Sequence, residues 1–373
     1  MSAKYQVVIK DFADTTTFGP GNAIVVLDNA TNVGWSEYIN EVGESFFTIS
    51  QEDPKIALLN SALDLGKHVN IYRDGTLVWG GWLGESDESL EDVIFTAYSY
   101  VSGFYHYVTA WDVTWTGINA HTIIENNFDY AKGLTKSRVG WLTKGAIETL
   151  FLGNQTGTLA LPLYKASYKR ILSIFREITA YAISDTTNRV KFEVTPDGTF
   201  NLRKHDSNVM TDARWSLGPG KIRSYKRLRM PVDKRNEILA VGSSPRDATM
   251  REVVNNGGHQ VSDKNSAGLK QEPIYFSWVR DATELDRVAR IRANKAIRTD
   301  ISFYASFFKD TLIPYRAASQ DYHIGDEFDP RLVRGLSSLT GNIADRKIIV
   351  GQQVIYSGGS EYVRLLLADS LGS

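Results

Sequence analysis

The sequence has no cysteine in its 373 residues. That absence excludes disulfides, cysteine nucleophiles and thiolate metal sites, so stability has to come from burial and assembly, as suits a protein made in a reducing cytoplasm. The formal net charge is only −1, which argues against a dedicated nucleic-acid binder or a polybasic membrane anchor. No apolar run approaches the ~20 residues that cross a bilayer, and acids interrupt the opening segment where a signal peptide is apolar. We expect a soluble chain with no membrane anchor and no export signal.

Catalytic motifs are also missing. The histidines never fall at i and i+4 on one helix or in an HExxH arrangement, so no metal-ligand spacing occurs. There is no GxSxG elbow and no glycine-rich phosphate loop, and the Gly-Gly pairs are typical of turns or bulges. We therefore predict a protein that is not an enzyme, with no catalytic, cofactor-binding or metal-binding residue and no cofactor. The histidines stand at positions 68, 106, 121, 205, 259 and 323.

β-Hairpin signals punctuate the whole chain. At Asp74-Gly75 an Asp-Gly pair separates two runs of alternating polarity, and a type I′ turn needs positive φ at both central positions. The same pattern recurs around 196–198 and at Gly358-Gly359, and further strands are predicted at 24–27, 46–50 and 93–98. These signals predict a mainly β fold built from small antiparallel barrels.

Two segments break the β pattern. Apolar residues recur at helical spacing within 168–182 and predict a packed helix. A second amphipathic helix with a basic face is predicted at 280–298, where Asp281 and Glu284 have capping-box spacing. The stretch 251–273 is rich in Gly, Asn, Ser and Lys, as expected of a long exposed loop. Because the chain exceeds what one core usually supports, we expect at least two domains.

An acidic stretch after Gly84 has three interpretations. A glycosidase needs two carboxylates at a fixed separation, which such a stretch could supply. The same acids beside Gly84 and Ser86 are also typical of a solvated loop. As a third hypothesis, these acids face a channel through which DNA passes without being bound. The acids are Glu85, Asp87, Glu88, Glu91 and Asp92.

A basic cluster and an aromatic cluster each allow two interpretations of their function. The basic segment 221–235 either binds phosphates or forms an exposed or subunit-contacting strand, and the balanced charge of the chain favours the second interpretation.

The aromatic residues around 79–82 and 98–115 form either a sugar-stacking platform or core and interface packing. Their alternation along strands favours packing. The tryptophans concerned are Trp79, Trp82, Trp111 and Trp115.

The run 34–84 resembles the opening of bacteriophage tail hub proteins. In that family a Gly-x-x-x-Phe strand, an Asp-Pro helical turn and a Tyr-Arg-x-Gly hairpin make the first tube-forming barrel. Here 43–47, 53–54 and 72–75 carry these motifs in the same order. The helix at 168–182, the hairpin at 190–202 and the element 322–326 before the last hairpin resemble the family's second half, where Gly-Asp starts a strand of the second barrel.

This resemblance implies a mainly β chain with two small tube-forming barrels and two smaller α+β insertion domains, each with one main helix. We predict the first barrel at 1–112 and the first insertion at 113–212. The second barrel is predicted at 213–250 with 311–373, and the second insertion, with its long loop and helix, at 251–310. Three copies would close into a ring whose six barrels match a sixfold tail tube, while its threefold symmetry suits a fibre or spike.

The resemblance also implies a structural virion protein of the tail tip or baseplate, made in the host cytoplasm. Its expected partners are further copies of itself, a distal tail protein or tail tube proteins above, central fibre, spike or tip proteins below, and the tape measure protein. DNA would pass through the lumen without specific binding. Two alternatives stay open: a carbohydrate-binding or depolymerising tail protein, and the equivalent hub of a phage-derived injection or gene-transfer particle.

Overall fold

A computed structural model describes residues 4–16, 18–109, 113–115, 120–148, 164–166, 168–181, 190–204, 222–228, 237–242, 253–255, 271–276, 285, 302–307, 324–325, 327–328 and 347–369. The helices are α1 (Ile56–Asp64), α2 (Ala120–Gly133) and α3 (Ile171–Tyr181), with a 3-10 helix at Tyr100–His106. The strands of the first hundred residues are β1 (Tyr5–Phe12), β2 (Pro20–Leu27), β3 (Asn32–Tyr38), β4 (Glu44–Ser50), β5 (His68–Arg73), β6 (Thr76–Glu88) and β7 (Asp92–Ser99). The later strands are β8 (Val113–Trp115), β9 (Thr143–Ile147), β10 (Tyr164–Ala166), β11 (Val190–Val194), β12 (Thr199–Lys204), β13 (Ile222–Leu228), β14 (Glu237–Gly242), β15 (Val253–Asn255), β16 (Gln271–Phe276), β17 (Ser302–Phe307), β18 (Glu327–Phe328), β19 (Lys347–Ser357) and β20 (Ser360–Asp369).

One 12-stranded sheet joins the start of the chain to its end. Its order is β13-β17-β20-β19-β3-β4-β7-β6-β5-β1-β2, with β18 paired to β19. Each of the pairings described in it is antiparallel, and the hairpins predicted at Asp74-Gly75 and Gly358-Gly359 are confirmed, with positive φ at all four positions. The link between the two ends is the pairing of β19 with β3, where Val354 lies opposite Trp35.

The sheet rolls around one core because its strands alternate apolar and polar residues. Val25 on β2 and Val354 on β19 belong to this core although six strands separate β2 from β19 in the sheet. The described strands nevertheless do not close into a barrel. Strand β3 pairs with β4 on one side and with β19 on the other, so the edge that β2 would need for closure is occupied. The sequence-based prediction of mainly β structure is confirmed, whereas the prediction of two closed barrels is not.

A second core lies in the segment between β7 and β12. Helix α3 confirms the prediction at 168–182, and its apolar face packs on α2, on the 3-10 helix and on the hairpin β11–β12. Four phenylalanine rings meet there, with centroids 4.7 Å apart for Phe128 and Phe200 and 5.1 Å apart for Phe104 and Phe175. Leu285 is buried in the same core. Apart from this residue, the helix predicted at 280–298 lies outside the described residues.

Three small sheets complete the described structure. β8 pairs with β10, β12 lies between β9 and β11, and β14 lies between β15 and β16. Most of the loop predicted at 251–273 lies outside the described residues, apart from β15 and the first residues of β16. The four predicted domain boundaries therefore stay predictions. In the part of the chain that is described, no helix is both long enough and apolar enough to cross a membrane.

Candidate assembly surface

The face of the large sheet that points away from its core carries exposed side chains on β4, β6 and β7. Along β7, Val93, Phe95 and Ala97 are buried in the core, so the intervening residues point outward. Strands β6 and β4 pair with β7, so their side chains also alternate between the core and the exterior. The outward residues of these three strands include Glu85, Asp87, Ile94, Thr96, Tyr98, Glu44, Phe46 and Thr48.

Carboxylates are spread along β7 on this outer face. Glu44 lies opposite Tyr98, Glu85 opposite Thr96, and Asp87 opposite Ile94. The Tyr98 hydroxyl donates a hydrogen bond of 2.8 Å to Glu85, and this bond raises the pKa of Tyr98 to about 12. Tyr98 therefore stays neutral at physiological pH, and the negative charge remains on the carboxylates. On β20, at the far side of the face, Arg364 brings a positive charge.

Aromatic rings lie flat against glycines on and beside the same face. A Cβ on Gly34 would come within 2.5 Å of the Phe46 ring, and one on Gly84 within 2.5 Å of the Tyr98 ring. Gly351 and Tyr38 show the same arrangement, also at 2.5 Å. The missing side chains let the rings approach the backbone, which gives the surface low relief. Sequence reasoning missed these pairs, and the available signal was a glycine inside a strand pattern, as at Gly34 and Gly351.

The acidic stretch forms a hairpin rather than a loop alone. Glu85 to Glu88 belong to β6, Asp92 begins β7, and the turn between them includes Leu90 and Glu91. The solvated interpretation holds, because the side chains from Asp87 to Glu91 are exposed. No group of three or more acidic or histidine side chains arranged to hold a metal ion is found in the described part of the chain.

The tryptophan cluster is buried and does not form a sugar-stacking platform. Trp79 and Trp82 are 1% and 4% exposed, and Trp115 is 8% exposed. Trp111 lies outside the described residues. The packing interpretation is confirmed for these three tryptophans, because a sugar could reach them only if the cores opened, whereas Tyr105 of the same predicted cluster is 49% exposed. Burial thereby removes the main observation behind a carbohydrate-binding function.

His68 sits at the centre of this aromatic packing. Its Nε2 lies 2.8 Å from the Phe18 carbonyl oxygen, which can only accept, so Nε2 carries the proton. Its Nδ1 then accepts from the Tyr100 hydroxyl at 3.1 Å. Burial lowers the pKa of His68 to about 4, helped by the nearby charges of Lys10, Arg138 and Lys67. The residue is a neutral core histidine.

Two side chains fix the second core against the rolled sheet. Asn40 has φ 58°, and its amide pairs with β11 like a strand residue, donating to the Val190 carbonyl (2.9 Å) and accepting from the Phe192 N–H (2.8 Å). Arg138 donates to the Leu65 carbonyl beyond α1 at 2.8 Å and lies over the Trp82 ring. The second core is thereby held to the rolled sheet by directed hydrogen bonds.

A cavity of about 230 Å³ lies at the same joint. Several of its polar lining residues contact one another: Lys191 is 3.2 Å from Glu193, and Gln352 donates to Glu37 at 2.7 Å. Lys191 also donates to the Ile324 carbonyl at 3.3 Å. These contacts mark the cavity as a junction between segments far apart in sequence.

The large sheet ends in two free edges among the described strands. β2 pairs only with β1, and β13 pairs only with β17. A strand at a sheet edge offers unpaired backbone groups to another chain. The basic segment predicted at 221–235 supplies β13 at one of these edges, in agreement with a strand, although its side chains lie outside what the structure describes. Both edges are therefore candidate contact sites between chains.

Two solved structures of tail proteins have a similar fold. The chain aligns over 98% of its length with a tail protein from Neisseria meningitidis, covering 96% of that chain at a TM-score of 0.62 and 10% identity. It aligns over 98% with the 43 kDa tail protein of prophage MuSo2 from Shewanella oneidensis, covering 98% of it at a TM-score of 0.61 and 8% identity. The sequence-based resemblance to phage tail hub proteins is thus confirmed at the level of the fold.

A related match comes from a secretion-system complex. The whole chain aligns with a chain of the Francisella PdpA–VgrG complex, covering 53% of that chain at a TM-score of 0.54 and 11% identity. No family model matches the sequence. None of the curated proteins matches it either.

Proposed function

We propose that this chain is a structural, non-enzymatic subunit of a phage tail tip or baseplate hub. The observation that carries the proposal is the fold, which is shared with two tail proteins along 98% of this chain. In the proposed role the protein closes the distal end of the tail tube and connects the tube to host-facing fibre, spike or tip proteins. Its location is then the tail of the virion.

The proposed assembly is a ring of three copies with pseudo-sixfold symmetry around a DNA channel. The two free sheet edges support it, because head-to-tail contact between identical chains generates a ring when the rotation closes. The acidic outer face supports the channel, because carboxylates such as Glu44 and Asp87 repel DNA phosphates and let the duplex pass without retention. The proposed partners remain the tail tube or distal tail proteins, the tip proteins and the tape measure protein.

A phage-derived injection particle is the second setting that a specific observation favours. The fold also aligns with a chain of a VgrG complex, at 53% coverage of that chain. The physical role would be the same in both settings, a symmetric ring at the end of a tube. Genes for a capsid and terminase beside this one would favour a phage, and their absence beside secretion genes would favour an injection particle.

Light scattering of the purified chain, alone and mixed with the neighbouring tail proteins, tests the proposal. We expect a mass near three times 41.7 kDa, at least in the mixture. Electron microscopy of the same sample should then show a ring with an open centre. A chain that stays monomeric at micromolar concentration under both conditions would contradict the hub assignment.

A further inference from the structure

An exposed aromatic patch lies just beyond the 3-10 helix. Tyr105 is 49% exposed and Tyr168 is 71% exposed. The Arg170 guanidinium stands over the Tyr105 ring at 3.7 Å from its centroid, and Arg170 also forms an isolated β-bridge with Val108, which is 44% exposed. Tyr168 lies two residues before Arg170 in the chain. We call these four residues, Tyr105, Val108, Tyr168 and Arg170, the Tyr105 patch.

The Tyr105 patch is positively charged and its backbone is strained. Tyr168 has φ 48°, a left-handed conformation that bulky residues rarely adopt, yet its ring is held out in solvent. No carboxylate among the described residues pairs with Arg170, whereas the adjacent Lys169 is neutralised by Glu177. Exposed Tyr and Arg in a positive patch are typical of protein interfaces.

The tip of the β6–β7 hairpin has the complementary properties. Leu90 is 99% exposed at the turn, and the exposed carboxylates of Glu88 and Glu91 flank it. The tip and the Tyr105 patch lie at opposite ends of β7, whose 8 residues alone span roughly 26 Å at ~3.3 Å per residue. The tip therefore cannot reach the patch of its own chain.

We propose that the Tyr105 patch binds the β6–β7 hairpin tip of a second copy of this chain. Leu90 supplies the apolar anchor that packs on the two tyrosines, and the flanking carboxylates face Arg170. The contact joins different surfaces of the two copies, so repeating it generates a ring or a filament. The inference rests on the self-association in the proposed function, and it is independent of the DNA channel.

Disulfide trapping tests this contact, because the chain contains no native cysteine that would compete, and each variant oxidised alone gives the rate of dimers between identical variants. Two full-length variants, Leu90→Cys and Tyr168→Cys, are mixed and oxidised mildly. Both positions are exposed, so both variants are expected to fold. The matched control replaces the first variant by Leu58→Cys, at a position on α1 that is 50% exposed. We expect the L90C and Y168C pair to form a covalent dimer at least tenfold faster than the control pair.

Charge reversal gives a second, independent measurement. Arg170→Glu should weaken self-association at least tenfold by sedimentation, and adding Glu91→Arg in the same chain should restore part of the loss. Equal cross-linking in both pairs, or self-association unchanged by R170E, would overturn the proposed contact while leaving a ring built by other surfaces intact. A chain that never self-associates, alone or with its neighbouring tail proteins, would overturn both the contact and the ring.

Discussion

Single buried side chains make the rolled sheet sensitive to pH, and His68 is the clearest case. Its folded-state pKa is about 4, below the 6.5 of an exposed histidine, so the unfolded chain takes up the proton first as the pH falls. The stabilisation is complete above pH 6.5 and is lost between pH 6.5 and 4. We expect a loss of at most about 3 kcal/mol over this window.

Denaturant unfolding at pH 7 and pH 4.5 measures the effect of His68. His68→Gln should reduce stability at pH 7 but flatten the pH dependence across the window. His121→Gln, on α2, serves as the matched control. In this variant the free energy of unfolding should change with pH as it does in the parent chain. An unchanged slope in H68Q would assign the acid sensitivity to other groups.

A buried ion pair ties the end of the chain to its beginning. Arg73 Nε on β5 donates to Glu361 on β20 at 2.8 Å, and the Tyr5 hydroxyl on β1 donates to the same carboxylate. Burial and the Glu361 charge together raise the pKa of Tyr5 far above its ordinary value. Glu361 is 4% exposed, so removing its charge leaves the mostly buried Arg73 guanidinium with only the longer contact of 3.6 Å to the exposed Asp74 carboxylate.

Glu361→Gln should therefore destabilise the first core by about 3 kcal/mol. Tryptophan fluorescence during urea unfolding reports on it, because the Trp35 ring centroid lies 5.6 Å from that of Tyr5. Glu52→Gln removes an exposed carboxylate and should have little effect. Similar losses in the two variants would show that the pair is not specifically stabilising.

At the scale of elements, the turn between β5 and β6 depends on backbone conformation alone. Gly75 has φ 80°, and a Cβ added there would meet nothing within 4 Å. Gly75→Ala should therefore destabilise the chain by about 1–2 kcal/mol, the usual strain of a left-handed residue with a Cβ. Gly133, at the end of α2, has equally open space without a positive φ, so Gly133→Ala should be neutral or stabilising. Thermal unfolding of the two variants gives the shift of each Tm from that of the parent chain. Equal shifts would exclude backbone conformation as the cause of the loss in Gly75→Ala.

Sequence reasoning predicts elements well where the determinants are local. The Asp-Gly and Gly-Gly turns and helix α3 follow from short patterns, and all are present. Helix α2 was not predicted, because Asn and His dilute an apolar face that includes Ile124 and Phe128. The pairing of β3 with β19 was not predictable either, because it joins distant segments whose alternating patterns fit many partners. That pairing decides the architecture, since it occupies the edge on which a closed barrel depends.

The candidate surface was predictable only in part, for the same reason. The acids of the β6–β7 hairpin were recognisable from composition, but their placement on the outer face depends on a bulge between Leu83 and Glu85. One extra residue in a strand reverses the facing of all that follow. The burial of Trp82 likewise depends on a distant segment, because Trp141 packs beside it with ring centroids 6.4 Å apart.

At the scale of the whole molecule, the charge of the outer face is the property that a DNA channel requires. Glu44→Lys combined with Asp87→Lys places two cations per chain on this face, and each copy in a ring repeats them. We expect the assembled variant to retain duplex DNA, with an affinity that falls steeply as salt rises, whereas the parent ring does not retain it. Fluorescence anisotropy of labelled DNA at several salt concentrations measures both the affinity for DNA and its dependence on salt. Glu52→Lys with Asp64→Lys changes the net charge equally at exposed positions on and near α1 and is the matched control. Retention by the first pair alone supports a channel-facing sheet, and equal retention by both pairs would mean that net charge, rather than position, governs DNA binding.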